Sequence, residues 1–199
     1  MTYQYGTREW DEAYAKLVEE RKRAETKPYV LFTPEWVSEF EKKIQESDEY
    51  KQLAAKWEGS VVLLILADPE AGIMEDLYAF MALWHGECEF ARLVPQEVGE
   101  NADYVLRGAY NVWKNVIKRN PETKKRLDVV KAMMTPTPSN PYIKVAKGDV
   151  AKLLLAAPAA IKLVQLSIEV DLVCPDELSP ERRDSYKALF TELRTEFGI

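Results

Sequence analysis

Ala102-Asp-Tyr-Val-Leu-Arg-Gly-Ala-Tyr-Asn-Val-Trp-Lys-Asn-Val-Ile117 is the stretch on which the reading of this chain turns. Tyr104, Val105 and Leu106 form a compact β-prone run. From Tyr110 the apolar positions move to Trp113, Val116 and Ile117, the three-four spacing of a helix face. A short strand therefore feeds directly into an amphipathic helix.

Toward higher numbers, Leu127, Val130, Met133 and Met134 repeat that spacing on a second helix, which Pro121 would open at its first position. Thr135-Pro-Thr-Pro-Ser-Asn-Pro141 ends it, because its prolines forbid helix and force an extended connection. Tyr142, Ile143 and Val145 predict a brief strand, and Gly148 permits the turn that follows. The block from Val150 to Leu166 is dominated by leucine and alanine. Between Pro158 and Val170 the strongly polar side chains are Lys162, Gln165 and Glu169, which share one narrow helical stripe. A helix so apolar must be covered almost all round, by core, by a partner subunit or by a bound lipid. It is too short and too interrupted to span a bilayer.

Toward lower numbers the period changes to that of a sheet. Val61-Val-Leu-Leu-Ile-Leu66 is a continuous apolar run, closed by the turn chemistry of Asp68-Pro-Glu-Ala-Gly72. A hairpin into Leu77–Trp84 follows, and both faces of that strand are apolar. Antiparallel sheets commonly wet one face, so more than one layer of helices is expected to cover this one. His85-Gly86 supplies the next turn, and Cys88, Phe90, Ala91, Leu93 and Val94 make a third strand. Upstream, Thr33-Pro34-Glu35 combines a cap, a first-turn proline and a carboxylate at a helix start. Trp36, Val37, Phe40 and Ile44 then form one buried stripe, and Tyr50, Leu53, Ala54 and Trp57 another. These helices read as a cap on the sheet or on a second subunit. Beyond Cys174-Pro175, Ser179-Pro180 starts a terminal helix with Tyr186, Leu189, Phe190, Leu193 and Phe197 as its stripe.

The chain has 199 residues and a formal charge of −6, with no basic patch interleaved with aromatics, so nucleic acid is not an expected partner. Net acidity also limits contact with anionic membrane to a transient one. Two cysteines give no disulfide framework, and Met1-Thr-Tyr-Gln-Tyr5 has neither basic nor apolar leader character, which predicts a cytoplasmic protein. His85 and Cys88 offer two metal ligands where three or four are needed, and no group can be named to orient His85 toward a Cys88 nucleophile. Glu75 and Asp76, adjacent on a strand, point to opposite faces, and Glu87 and Glu89 suit a solvated hairpin end. The glycines are scattered at turns, without a phosphate-cradling loop. No cofactor, metal site or catalytic residue is expected.

Gly86-Glu-Cys88 leading into a strand, Ala102-Asp103-Tyr-Val-Leu before a helix carrying Trp113, Lys131-Ala-Met-Met134, and Ile143-Lys-Val-Ala-Lys-Gly-Asp149 before an apolar helix occur in an order that resembles the sterol carrier protein 2 family of lipid-transfer domains. The resemblance runs from about Glu58 to Val173. It implies an α+β fold: a mostly antiparallel five-stranded sheet with helices on one face, an apolar tunnel between them, and N-terminal and C-terminal helical additions. The expected organisation is a helical extension over 1–57, a sterol-carrier-like lipid-binding domain over 58–173 and a C-terminal helix over 174–199. The implied function is a non-catalytic soluble carrier of a long-chain fatty acid, acyl-CoA or related apolar lipid. Its pocket would be walled by Met81 and Leu83 from the sheet, by Trp113, Val116 and Ile117, by Val130, Met133 and Met134, and by Leu154, Ile161 and Leu166. Methionines suit a wall that adapts to several ligands. Burying about ten methylenes supplies roughly 8 kcal/mol before association costs, so apolar lining alone can hold a lipid. The alternative is a protein-interaction module in which the apolar helix forms a homodimer or partner interface and no cavity exists.

Overall fold

The computed structural model describes residues 2–24, 27–118, 125–134, 136–137 and 140–199. Helix α1 (Arg8–Ala24), the two-residue strand β1 (Tyr29–Val30) and helices α2 (Pro34–Gln45) and α3 (Asp48–Leu53) come first. The hydroxyl of Thr33 accepts from the Trp36 N–H at 3.4 Å, and that of Ser47 from the Tyr50 N–H at 3.2 Å. Both helices thus begin where their caps dictate.

Strands β2 (Glu58–Leu66), β3 (Leu77–Trp84) and β4 (Glu87–Val94) form successive antiparallel hairpins. His85 and Gly86 alone connect β3 to β4, with φ of 49° and 84°, the mirror-image turn that two-residue hairpins favour. A Cβ at position 86 would lie 2.4 Å from the carbonyl oxygen of Lys51, so the turn abuts the backbone of α3. Helix α4 (Gln96–Glu100), strand β5 (Tyr104–Ala109) and helix α5 (Tyr110–Ile117) follow. They lead to α6 (Val129–Met134), the short pair β6 (Pro136–Thr137) and β7 (Asn140–Pro141), and strand β8 (Ile143–Lys147). The expected start of the second helix at Pro121 lies outside the described residues. Helices α7 (Val150–Leu155) and α8 (Ala157–Glu169), strand β9 (Leu172–Val173), a 3-10 turn over Pro175–Glu177, helix α9 (Pro180–Glu192) and a π turn over Leu193–Phe197 complete the chain.

The central sheet has five strands in the order β4-β3-β2-β5-β8. Its pairings are antiparallel except β2 with β5, which runs parallel from Val61 opposite Tyr104 to Leu66 opposite Ala109. The fold is α+β with a mostly antiparallel sheet. One face carries Val61, Ile65, Ala79, Met81, Leu83, Leu93 and Leu106 into the main core, which buried residues of α1–α3 and α5–α9 complete. The other carries Val62, Leu64, Tyr78, Val94 and Val105 into a smaller core capped by Val98 of α4 and by Tyr5. This second layer accounts for a sheet apolar on both sides. It is thin toward the β3–β4 end, where Phe80 and Phe90 stack at 5.7 Å and the Arg92 guanidinium lies 4.0 Å over the Phe90 ring.

The segments flanking residues 58–173 are stitched to that region and to each other. β1 pairs in parallel with β9, Tyr29 opposite Leu172 and Val30 opposite Val173. The Tyr3 N–H donates to the Glu196 carbonyl at 2.9 Å, and the Trp10 indole N–H to the Phe197 carbonyl at 3.2 Å. Across from α5, Tyr110 and Lys114 bond the Asp176 carboxylate at 2.5 and 2.6 Å, and Lys118 pairs with Glu177. These contacts hold the face of α5 that bears Trp113 against the sheet.

Candidate functional site: an apolar cavity between sheet and helices

The inner face of the sheet and helices α2, α3 and α5–α8 do not close completely on each other. Val61, Leu63, Met81, Leu83 and Leu106 form the floor of a cavity, and Trp113, Val116 and Ile117 of α5 one wall. Val129 and Met133 of α6 and Leu153 of α7 form a second. Ala159, Ala160, Leu163, Val164 and Ser167 of α8, with Ala156 at its start, make the roof. Trp36, Phe40, Tyr50 and Trp57 close the remaining side. The cavity volume is about 80 Å³, and the unfilled space reaches about 800 Å³ when the open region at its mouth is counted.

Among the described residues no charged side chain belongs to this wall, and only five of its side chains carry a nitrogen or oxygen. Three of those atoms are satisfied by backbone. Trp57 donates to the Gly59 carbonyl at 2.9 Å, Trp113 to Leu64 at 3.2 Å and Ser167 to Val164 at 2.7 Å. The Trp36 indole N–H is shut off from water and has no acceptor among the described residues, a situation that costs about 1–3 kcal/mol. Tyr50 is 1% exposed, its hydroxyl makes no hydrogen bond among the described residues, and burial pushes the phenol above its ordinary range, so it stays protonated.

Six of the expected wall residues meet at the cavity: Met81, Leu83, Trp113, Val116, Ile117 and Met133. Others do not. Val130 packs against the core beside the wall, and its neighbour Val129 takes the lining position. Leu154 and Ile161 point outward, 37% and 38% exposed, while Leu153, Ala160 and Leu163 point inward. Leu166 is buried in the core at 4% exposure without lining the cavity. The side chain of Met134 lies outside the described residues. The cause of the outward placements is common to both helices. The apolar block is split at Ala156 into α7 and α8, which resets the helical phase, and a segment without polar contrast does not mark its inner face.

Sequence reasoning does not mark the aromatic side as wall. Trp36 and Phe40 are one helical turn apart on α2, with ring centroids 5.4 Å apart, and a stripe against a void has the same period as a stripe against core. The usable signal is the concentration of large aromatic rings in a segment that needs only one packed face.

The reactive side chains sit apart from this cavity. His85 places Nδ1 3.0 Å from the Ala55 carbonyl and Nε2 3.1 Å from Glu58. Cys88 is 4% exposed, and burial, then Glu41, Glu89 and Glu87, push its thiol up to about 12, which leaves almost no thiolate at neutral pH. Asp76 accepts from the Ala67 N–H at 2.8 Å while Glu75 pairs with Arg194 at 2.8 Å, so the two carboxylates serve different contacts. Among the described residues no group of three or more His, Cys, Asp or Glu could hold a metal ion, and no helix is long and apolar enough to cross a membrane.

No protein-family model matches the chain, and no curated protein matches it. Solved structures do. A crystal structure of sterol carrier protein 2 is 33% identical, with a TM-score of 0.61 over 70% of this chain and 98% of that one. The solution structure of a conserved hypothetical protein from Thermus thermophilus, described as possibly a sterol carrier protein, is 32% identical, with a TM-score of 0.60 over 72% of this chain and 91% of that one.

Proposed function

The chain belongs to the sterol carrier protein 2 family, and on that premise we propose that it is a non-catalytic carrier of a long-chain lipid, a fatty acid, acyl-CoA or related apolar molecule, held between the sheet and α8. The observation that carries this reading is the cavity wall, whose described side chains are almost all hydrocarbon or aromatic and include no charge. Such a wall gains free energy from methylenes and offers nothing to activate a bond. The unreactive Cys88 thiol supports the non-catalytic half of the reading.

Small-molecule sites commonly enclose roughly 300–1,000 Å³, and the enclosed volume here is about 80 Å³. A lipid therefore enters by displacing wall side chains. Met81 and Met133 are suited to this, being unbranched and flexible. Native mass spectrometry of the protein purified from cells tests the reading. A co-purifying lipid-sized mass is expected, and extraction then identifies it. Absence of any such mass, together with failure of added long-chain lipid to displace a bound apolar dye, would sink it.

A second reading rests on the outer side of α7 and α8, where Val150, Leu154, Leu155 and Ile161 are exposed, Leu155 at 85%. A second copy of the chain could cover these residues. Light scattering separates the readings, since a stable dimer that excludes dye from the cavity favours the interaction module.

A further inference from the structure

We infer that the N-terminal helices hold the polar end of the ligand, with the Trp36 indole N–H and the Tyr50 hydroxyl as its hydrogen-bond partners, and that this end is an uncharged oxygen such as a hydroxyl, carbonyl or ester. The inference rests on the lipid-carrier reading and narrows it to a ligand class and two specificity-determining residues.

The polar atoms of the wall divide sharply. Those of Trp57, Trp113 and Ser167 already bond to the carbonyls of Gly59, Leu64 and Val164, so they have nothing to offer a guest. The two without partners among the described residues, on Trp36 and Tyr50, both come from the segment before residue 58, on α2 and α3. Trp36 is 1% exposed, and its ring is fixed between Phe32 and Phe40 at centroid distances of 5.6 and 5.4 Å. The nitrogen has almost no exposed surface while the cavity is empty, so the wall displacement that admits a lipid must uncover it, and a buried donor without an acceptor is then matched by one that arrives with the ligand. The Tyr50 hydroxyl adds a group that can donate or accept.

The charge of the ligand's end follows from the composition of the wall. Among the described residues no lysine, arginine or histidine lines the cavity. Lys162 and Lys43, on the helices that border it, are engaged elsewhere, with Glu49 at 2.6 Å and with Glu169 at 3.9 Å. A carboxylate beside Trp36 would lose its hydration without gaining a counter-ion, so a neutral oxygen is preferred and a fatty acid is held there in its protonated form.

Displacement of the neutral dye Nile red from the full chain tests this, with 1-tetradecanol, tetradecane and tetradecanoic acid as competitors. Tetradecanol should bind more tightly than tetradecane. Trp36→Phe and Tyr50→Phe should each weaken tetradecanol about threefold to tenfold more than they weaken tetradecane, and a cooperative thermal transition of each variant shows that it is folded. Tetradecanoic acid should bind more tightly at pH 5 than at pH 8. Equal binding of alcohol and alkane, equal losses for both in the variants, or acid binding that is no weaker at pH 8 would overturn the inference and leave the carrier reading standing. Failure of all three competitors to bind would remove both.

Discussion

The indole N–H of Trp113 reaches the carbonyl oxygen of Leu64 at 3.2 Å, bridging 49 positions of sequence from α5 to β2. The same ring lines the cavity at 2% exposure, so one side chain anchors a helix to the sheet and shapes the space beneath it. Trp113→Ala should lower stability by about 3–5 kcal/mol and abolish binding of a fluorescent fatty acid. Trp113→Phe keeps most of the packing and should lose only about 1–2 kcal/mol. Urea denaturation with and without lipid separates the structural loss from the loss of binding.

Glu35 is 1% exposed and accepts two hydrogen bonds from Arg21, both at 2.9 Å. This fork ties α1 to the start of α2, beside Trp36. Arg21→Met should cost about 3–5 kcal/mol, because it strands a carboxylate among apolar groups. The double variant Arg21→Met with Glu35→Leu should recover most of that loss. Denaturation of all four members of the cycle measures the coupling.

Gly148 sits between β8 and α7 at φ +108°, and a Cβ there would fall 2.3 Å from Cδ1 of Tyr104. Gly148→Ala must shift the Tyr104 ring, which packs against Trp57 at 4.7 Å, and must also adopt a backbone conformation that alanine disfavours. The expected loss is about 1–3 kcal/mol, read as a lowered melting temperature. A decrease in dye binding should accompany it, since Trp57 is part of the wall.

Acid should loosen the fold through three carboxylates. Hydrogen bonds from the Ser60 N–H and hydroxyl, at 2.7 and 2.8 Å, hold Asp103 below its ordinary 3.8. Burial raises Asp176 and Glu177, but hydrogen bonds from Lys114 and Tyr110 to the first, and from Lys118 and the Cys174 N–H to the second, outweigh it, so both lie below their ordinary 3.8 and 4.5. A carboxyl depressed in the folded state stabilises it fully above its ordinary value and loses that contribution as pH falls through the folded one. The melting temperature should therefore be level above about pH 5 and fall below about pH 4. Asp103→Asn should melt lower at neutral pH and show a shallower acid decline.

The strands were legible because each carried either alternation or a bounded apolar run: Val61–Leu66, Leu77–Trp84 and Tyr104–Leu106 all fall within the sheet. Helix starts at Thr33 and Ser179 were legible because a cap and a proline are local chemistry. Helix phase in α7 and α8 was not. It is fixed by contrast between faces, and Leu153, Leu154 and Leu155 differ only in where tertiary packing turns them. Helix α4, five residues long, shows no apolar period of its own; it is placed by Val98 and by the close approach of Gly99 to Tyr78. The role of Trp36 and Tyr50 was hidden for a further reason, since an unmet hydrogen bond is a property of three-dimensional surroundings and leaves no mark in sequence.

The bonds joining Tyr29 and Leu31 to Asp171 and Val173, and Trp10 to Phe197, bear on the order in which the molecule is made. A ribosome delivers α1 and α2 well before the partners that hold them in place. Until residues 171–197 are made their tryptophans lack part of the surface they will occupy, and chaperones have a window in which to recognise them. The space between the sheet and the helices reaches its final shape only after residues 171–197 have emerged.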